Sequence, residues 1–163
     1  MKTKTITMVG ILAAISVVIS IIESYFPFIG SVIPGLKLGL ANIVVVFVLY
    51  KYNFKTAICV SLVRVLIVAL IRTGFVPFLF SLTGAIFSIV IMAILKKTKL
   101  SVIGVSVIGS VFHSIGQVLI GMVSLGNYNV IYYLPYLLLF SVPTGILVGI
   151  VAKRLLKYTE KIL

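Results

Sequence analysis

The sequence predicts an all-α integral membrane protein, a single bundle of six transmembrane helices over residues 1–163 with both termini cytoplasmic. Three observations predict it. Hydrophobic residues make up 62% of the chain and charged residues 10%, against roughly 25% charged in a soluble domain. Apolar runs approaching the roughly 20 residues needed to cross a bilayer recur between short polar breaks. The cationic residues gather in short clusters at alternate ends of those runs, as the positive-inside rule produces.

The first run extends from about Thr5 to Phe26 behind Lys2 and Lys4. It is longer than a signal-peptide core and no A-x-A-like site closes it, so it reads as a retained helix. Pro27 to Gly35 form a turn-rich loop, and a short second helix runs from about Leu36 to Tyr50. "KYNFK" connects it to a third helix, about Thr56 to Arg72, which "RTGFVP" breaks. A fourth covers about Pro77 to Leu95 and a fifth about Ser101 to Leu125. The sixth, about Val130 to Leu156, contains Pro135 and Pro143, so a kink or break is expected there.

Orientation follows from the clusters. Eleven of the fourteen Lys and Arg fall on one side: Lys2, Lys4, Lys51, Lys55, Lys96, Lys97, Lys99, Lys153, Arg154, Lys157 and Lys161. That distribution explains the net charge of +12 without nucleic acid, which is not an expected partner. The one cysteine, Cys59, excludes an internal disulfide and a cysteine metal cluster, and is expected to be a small buried side chain. No metal or other cofactor is expected.

The remaining ionisable residues are informative because charge within a membrane is costly and usually faces a bundle interior. Glu23, Lys37 and Arg72 fall near the outer ends of their helices, while Arg64 and His113 fall near the midplane. Gln117 follows His113 at the spacing that puts both on one helix face. Asn42 lies near the start of the second helix. This outer-half polarity suggests a pocket open to the exterior. Lys37, Arg64 and Arg72 oppose a single Glu23, an excess near +2 that a bound anion would balance. Guanidinium groups suit carboxylate or phosphate.

Blander readings stand beside this one. Lys37 and Arg72 also suit snorkelling to the interface. Arg64 also suits capping of a broken neighbour, and His113 and Gln117 suit interhelical hydrogen bonds. Tyr132 and Tyr136 suit either a ligand cover or an interfacial belt. In "PGLKLGLAN", Lys37 stands beside a helix N-terminus, which itself favours anions. Small residues recur four apart at Gly10 and Ala14, with Ala13 alongside, and again at Gly145 and Gly149. Such spacing permits close helix approach, and internal packing is the expected role of the second pair.

The segments "IESYFPF", "PGLKLGLANIVVVFVLY", "LVRVL", "SLTGAIFSIVIMAILKK", "IGVSVIGSVFHSIGQ" and "YYLPYLLLFSVPTGILVGIVAKRLL" together resemble the membrane family labelled heptaprenyl diphosphate synthase component I, also called the Gx transporter family. That family is similar to the substrate-binding S components of energy-coupling factor transporters. The resemblance implies a six-helix bundle, an outward ligand pocket, and docking on a membrane coupling subunit driven by ATPases. It places Gly10, Ala13 and Ala14 where S components contact that subunit, although their A-x-x-x-A form is not matched. Glu23, Lys37, Asn42, Arg64, Arg72, His113, Gln117, Tyr132 and Tyr136 are the candidate ligand residues.

The two labels differ in chemistry. Prenyl chain elongation holds Mg²⁺ on aspartate-rich motifs, and Mg²⁺ requires oxygen ligands. This chain has no aspartate and two glutamates, Glu23 and Glu160. No catalytic centre is therefore expected. The leading expectation is uptake of a small anionic organic molecule, an isoprenoid, quinone or flavin-related precursor. The alternative is a non-catalytic membrane subunit of heptaprenyl diphosphate synthase, and a third class is a module of a redox or flavin-transfer system.

Overall fold

The computed structural model describes residues 3–25 and 39–162, all helical apart from short turns, with no strand among them. Six α-helices follow in order: α1 (Thr3–Tyr25), α2 (Asn42–Lys51), α3 (Phe54–Val68), α4 (Phe75–Leu95), α5 (Val102–Leu125) and α6 (Leu134–Ile162). A π-helical turn, Ala69–Thr73, extends α3, and a 3₁₀ segment, Tyr128–Tyr133, precedes α6. Five spans are long and apolar enough to cross a membrane, and α2 is the short apolar helix. The outer surface is apolar, with Leu70, Phe75, Val123 and Leu139 among the exposed large side chains, as a lipid-facing exterior requires.

The junctions carry ordinary capping chemistry. Asn53, in the "KYNFK" connection, accepts from the Thr56 backbone N–H at 2.9 Å and caps α3. Ser101 does the same for α5 through Gly104 N–H at 3.1 Å. Each cap satisfies an N–H that the helix start leaves without a partner. Gly126, at φ +58°, ends α5 in the left-handed conformation that glycine adopts at no steric cost.

Lysines of two basic clusters reach across to neighbouring helices at one end of the bundle. The Lys96 ammonium at the end of α4 donates to Leu49 O at 2.8 Å and stands 5.3 Å from the centroid of the Tyr50 ring. Lys51, closing α2, reaches Thr159 O in α6 at 3.4 Å. Each lysine thus donates to a carbonyl in the last turns of a helix, where the helix itself leaves acceptors over. The core beneath this end is apolar: Val45, Val48, Leu49, Val60, Met92, Val105 and Val148 are buried together.

Several local expectations are corrected. The second helix begins at Asn42, not near Leu36: Gly39 has φ +80° and Leu40–Ala41 form a turn. Of the two prolines expected to kink or break the sixth helix, Pro135 follows the change from the 3₁₀ segment to α6 at Leu134, whereas α6 runs unbroken through Pro143. Around it the Thr144 hydroxyl donates to Phe140 O at 2.8 Å and the Ser141 hydroxyl to Leu137 O at 2.6 Å, so side chains help hold the local backbone. Cys59 is exposed rather than buried, on the outward face of α3 where the apolar exterior accommodates a thiol as readily as a core would.

α4, α5 and α6 pack at the limit that glycine allows. A methyl group at Gly145 would lie 2.7 Å from Val107 Cα, and one at Gly149 would lie 2.7 Å from Ile103 Cα. Between α4 and α5, a methyl at Gly109 would meet the Met92 side chain at 2.6 Å. Ser114 of α5 and Ser141 of α6 share a hydroxyl hydrogen bond of 2.6 Å across the same seam. The expected internal role of Gly145 and Gly149 is what the fold uses.

Candidate binding site

α1 turns a polar stripe inward, with Ser16, Ser20 and Glu23 buried at successive helical positions. That stripe faces the chain just ahead of α2. The Ser16 hydroxyl donates to Ala41 O at 3.5 Å, and the Gly39 backbone N–H donates to Glu23 Oε1. The positive φ of Gly39 sets up this turn, a conformation that side-chain-bearing residues rarely adopt. Asn42 follows as the first helical residue, buried with its side chain toward α3.

Arg64 completes the arrangement. It is 5% exposed, and donates from Nη1 to Asn42 Oδ1 at 3.3 Å and from Nη2 to Ser61 Oγ at 3.5 Å. Both contacts are long and both acceptors neutral. The opposing charge is the Glu23 carboxylate, which acts on the guanidinium within the same cavity. That cavity is lined by Ser20, Glu23, Gly39, Asn42, Arg64, Val65, Val68, Ser81 and His113. It measures about 30 Å³, room for roughly two waters.

Helix geometry places the lining at one depth. Asn42 and Lys51 bound the ten residues of α2, so Asn42 stands about 15 Å from the basic end at 1.5 Å per residue. Arg64 lies ten residues beyond the start of α3, again about 15 Å. His113 lies eleven residues beyond the start of α5, about 16 Å. Three elements therefore bring polar groups to about half the thickness of a hydrocarbon core of roughly 30 Å. The His113 ring is held there by α4, where a methyl at Gly84 would stand 2.9 Å from His113 Cε1 and from its carbonyl oxygen.

Of the candidate residues, Glu23, Asn42, Arg64 and His113 line one cavity. Gln117 is buried on the same helix face one turn from His113. Tyr132 and Tyr136 are 73% and 69% exposed and do not line it. Lys37 lies outside the described residues, and of Arg72 only the backbone, within the π turn, is described. The positive excess expected from the sequence rests on those two side chains. Among the described residues the cavity holds one cation and one anion, Arg64 and Glu23, and is balanced with His113 neutral. No group of three His, Cys, Asp or Glu residues is placed to hold a metal ion among the described residues.

Ser20 and Ser81 are polar lining residues that the sequence analysis did not single out. A signal for the first existed: Ser16, Ser20 and Glu23 recur at i, i+4 and i+7 in an otherwise apolar helix, the pattern of one polar face. Ser81 has no such signal beyond its place three residues before Gly84, which packs on His113.

The fold and this cavity define a polytopic α-helical membrane protein with a buried, polar-lined cavity. The family model for heptaprenyl diphosphate synthase component I matches residues 12–155, and the chain belongs to that family. No curated protein and no solved structure matches it.

Proposed function

We propose that this chain is a membrane binding and transport protein, similar to an S component, that takes up a small anionic organic molecule. The observation that carries the reading is Arg64, a guanidinium buried at mid-depth whose two described hydrogen bonds are long and go to neutral oxygens. Five N–H donors in a planar fork are suited to a carboxylate or phosphate. Glu23, Asn42, His113 and Gln117 orient the molecule in this reading, and Lys37 and Arg72 add positive charge from the outer side. An isoprenoid, quinone or flavin-related precursor would bring an acidic head on an apolar body, of which the described cavity of about 30 Å³ would take only part of the head.

Both termini lie in the cytoplasm in this arrangement, as the basic clusters favour, and the pocket opens on the opposite side. Gly10, Ala13 and Ala14 form the contact for a coupling subunit with its ATPases. Gly10 is exposed, with open space where a side chain would project, which leaves that face of α1 available.

A second reading is favoured by the family's description: a non-catalytic membrane subunit that joins a second, soluble synthase subunit. The lack of aspartate in the chain agrees with catalysis residing elsewhere. Native mass spectrometry of the protein in mild detergent separates the two. A stoichiometric anionic metabolite lost on Arg64→Ala supports uptake and names the cargo. An empty protein that co-purifies with a soluble prenyl synthase overturns uptake in favour of the second reading.

A further inference from the structure

Gln117 is a buried polar side chain that the described fold leaves unsatisfied. Its amide oxygen and nitrogen are both buried with no hydrogen-bond partner among the described residues, in a residue 6% exposed. Burying such a group without partners is costly, because it loses its bonds to water and gains none. Packing alone would be served better by leucine, so the amide calls for a partner that is not part of this fold.

Its position says what kind. α4 and α5 run antiparallel with a register fixed by two close approaches: Gly84 against His113, and Gly121 against Phe80. Gln117 lies midway between His113 and Gly121, and so stands level with the stretch of α4 that contains Ser81, a lining residue of the cavity. It is one turn, about 5.4 Å, farther from the basic end than His113 and on the same face. The next residue inward, Gly116, is packed so closely on α4 that a methyl there would meet Thr83 O at 3.0 Å. Gln117 is therefore held on a rigid seam, one turn along α5 from His113, which lines the cavity.

We propose that Gln117 is a specificity residue that reads a planar N–H/C=O edge, an amide, lactam or imide, on the anionic molecule whose acid group Arg64 binds. This rests on the uptake reading above. A primary amide presents a donor and an acceptor side by side in one plane. The complement that satisfies both at once is a donor beside an acceptor in one plane, as in the adenine N6/N7 edge that glutamine reads, and an N–H beside a C=O has the same form. A second carboxylate would satisfy the NH₂ and face the amide oxygen with negative charge. A hydrocarbon chain would satisfy neither. Arg64 and Gln117 thus select different features: the first a charge, the second an edge.

The test uses the full-length protein in mild detergent, purified as wild type, Gln117→Leu, Gln117→Glu and Arg64→Ala. Retained small molecules are identified and quantified by native mass spectrometry, and each ligand-stripped protein is melted. The expected wild-type ligand is an anion containing N–H next to C=O. Gln117→Leu and Gln117→Glu each reduce its retention by about tenfold or more, the scale on which a site built to hydrogen-bond rejects a mismatch. Ligand-stripped Gln117→Leu melts at or above the wild-type temperature, because an unsatisfied buried amide has been removed. Undiminished retention by either Gln117 variant, with loss on Arg64→Ala, overturns this role and leaves the uptake reading standing. So does a retained anion without such an edge, or a melting point several degrees lower for stripped Gln117→Leu, which would make the amide a structural bond. A wild-type protein that retains nothing overturns both.

Discussion

Two stretches of this chain carry small residues four apart, and the fold uses them in opposite ways. On α6, Gly145 and Gly149 share a buried face with Ser141, Val148 and Ala152, and lie against the α5 backbone. On α1, Gly10 and Ala14 are exposed, because the buried face is the stripe of Ser16, Val17, Ser20 and Glu23 on the other side. The spacing alone decides nothing. What decides is whether the rest of the helix places the costlier groups, the polar ones, on the same face or on the opposite one. In α1 the carboxylate claims the interior and the glycine is left outside.

Substitutions can break this contrast, beginning with the largest effect. Gly149→Leu or Gly145→Leu forces a branched side chain into a gap where a single methyl already comes within 2.7 Å of backbone. Overpacking typically costs 1–3 kcal/mol or more, and both variants are expected to lose the monodisperse folded peak in detergent size-exclusion chromatography. A folded Gly149→Leu protein would mean that the α5–α6 seam is looser than described.

Gly84→Ala comes next. Its methyl would stand 2.9 Å from both the His113 ring and the His113 carbonyl, and the backbone atom cannot swing aside. A loss of about 1–3 kcal/mol in stability is expected, read as a lower melting temperature, together with weakened retention of any bound molecule because His113 lines the cavity. Unchanged retention beside a lower melting point would separate His113 from ligand binding.

Ser141→Ala removes the 2.6 Å bond to Ser114 across the seam. Interhelical hydrogen bonds in membranes average about 0.6 kcal/mol, so a small drop in denaturant midpoint is expected, with a similar loss for Ser114→Ala. The double variant should lose little beyond either single one. Gly10→Leu should change neither folding nor ligand retention, since nothing lies within 4 Å of the projected side chain. It sharpens the comparison if it abolishes co-purification with a partner protein while leaving the melting curve alone.

The bundle itself was legible from the sequence because charge clusters and apolar runs are long-range, redundant signals. Arg64 and His113 were legible as mid-depth residues by counting along their helices, and both line the cavity. The start of α2 was not. Leu36, Leu38 and Leu40 read as the start of a helix, and the φ of +80° at Gly39, which meets the Glu23 carboxylate through its N–H, precedes the start of α2 at Asn42. Tyr132 and Tyr136 resisted for a different reason: an aromatic cluster near an apolar run has the same composition whether it covers a ligand or faces lipid. The 3₁₀ turn that sends Tyr132 outward is a tertiary outcome. Cys59 shows the same limit, since in a membrane both faces of a helix can be apolar and hydrophobicity no longer distinguishes inside from outside.

The shortness of α2 has an electrical consequence. Because ten residues carry it only about 15 Å from the basic end, Asn42 and Arg64 sit roughly halfway through the low-dielectric slab across which a membrane potential falls. A singly charged molecule travelling from either surface to that level crosses about half the voltage drop, worth about 1 kcal/mol for each 100 mV. On the uptake reading, occupancy of the site by a charged ligand would therefore vary several-fold with membrane potential, and a balanced zwitterion in the same place would be indifferent to it.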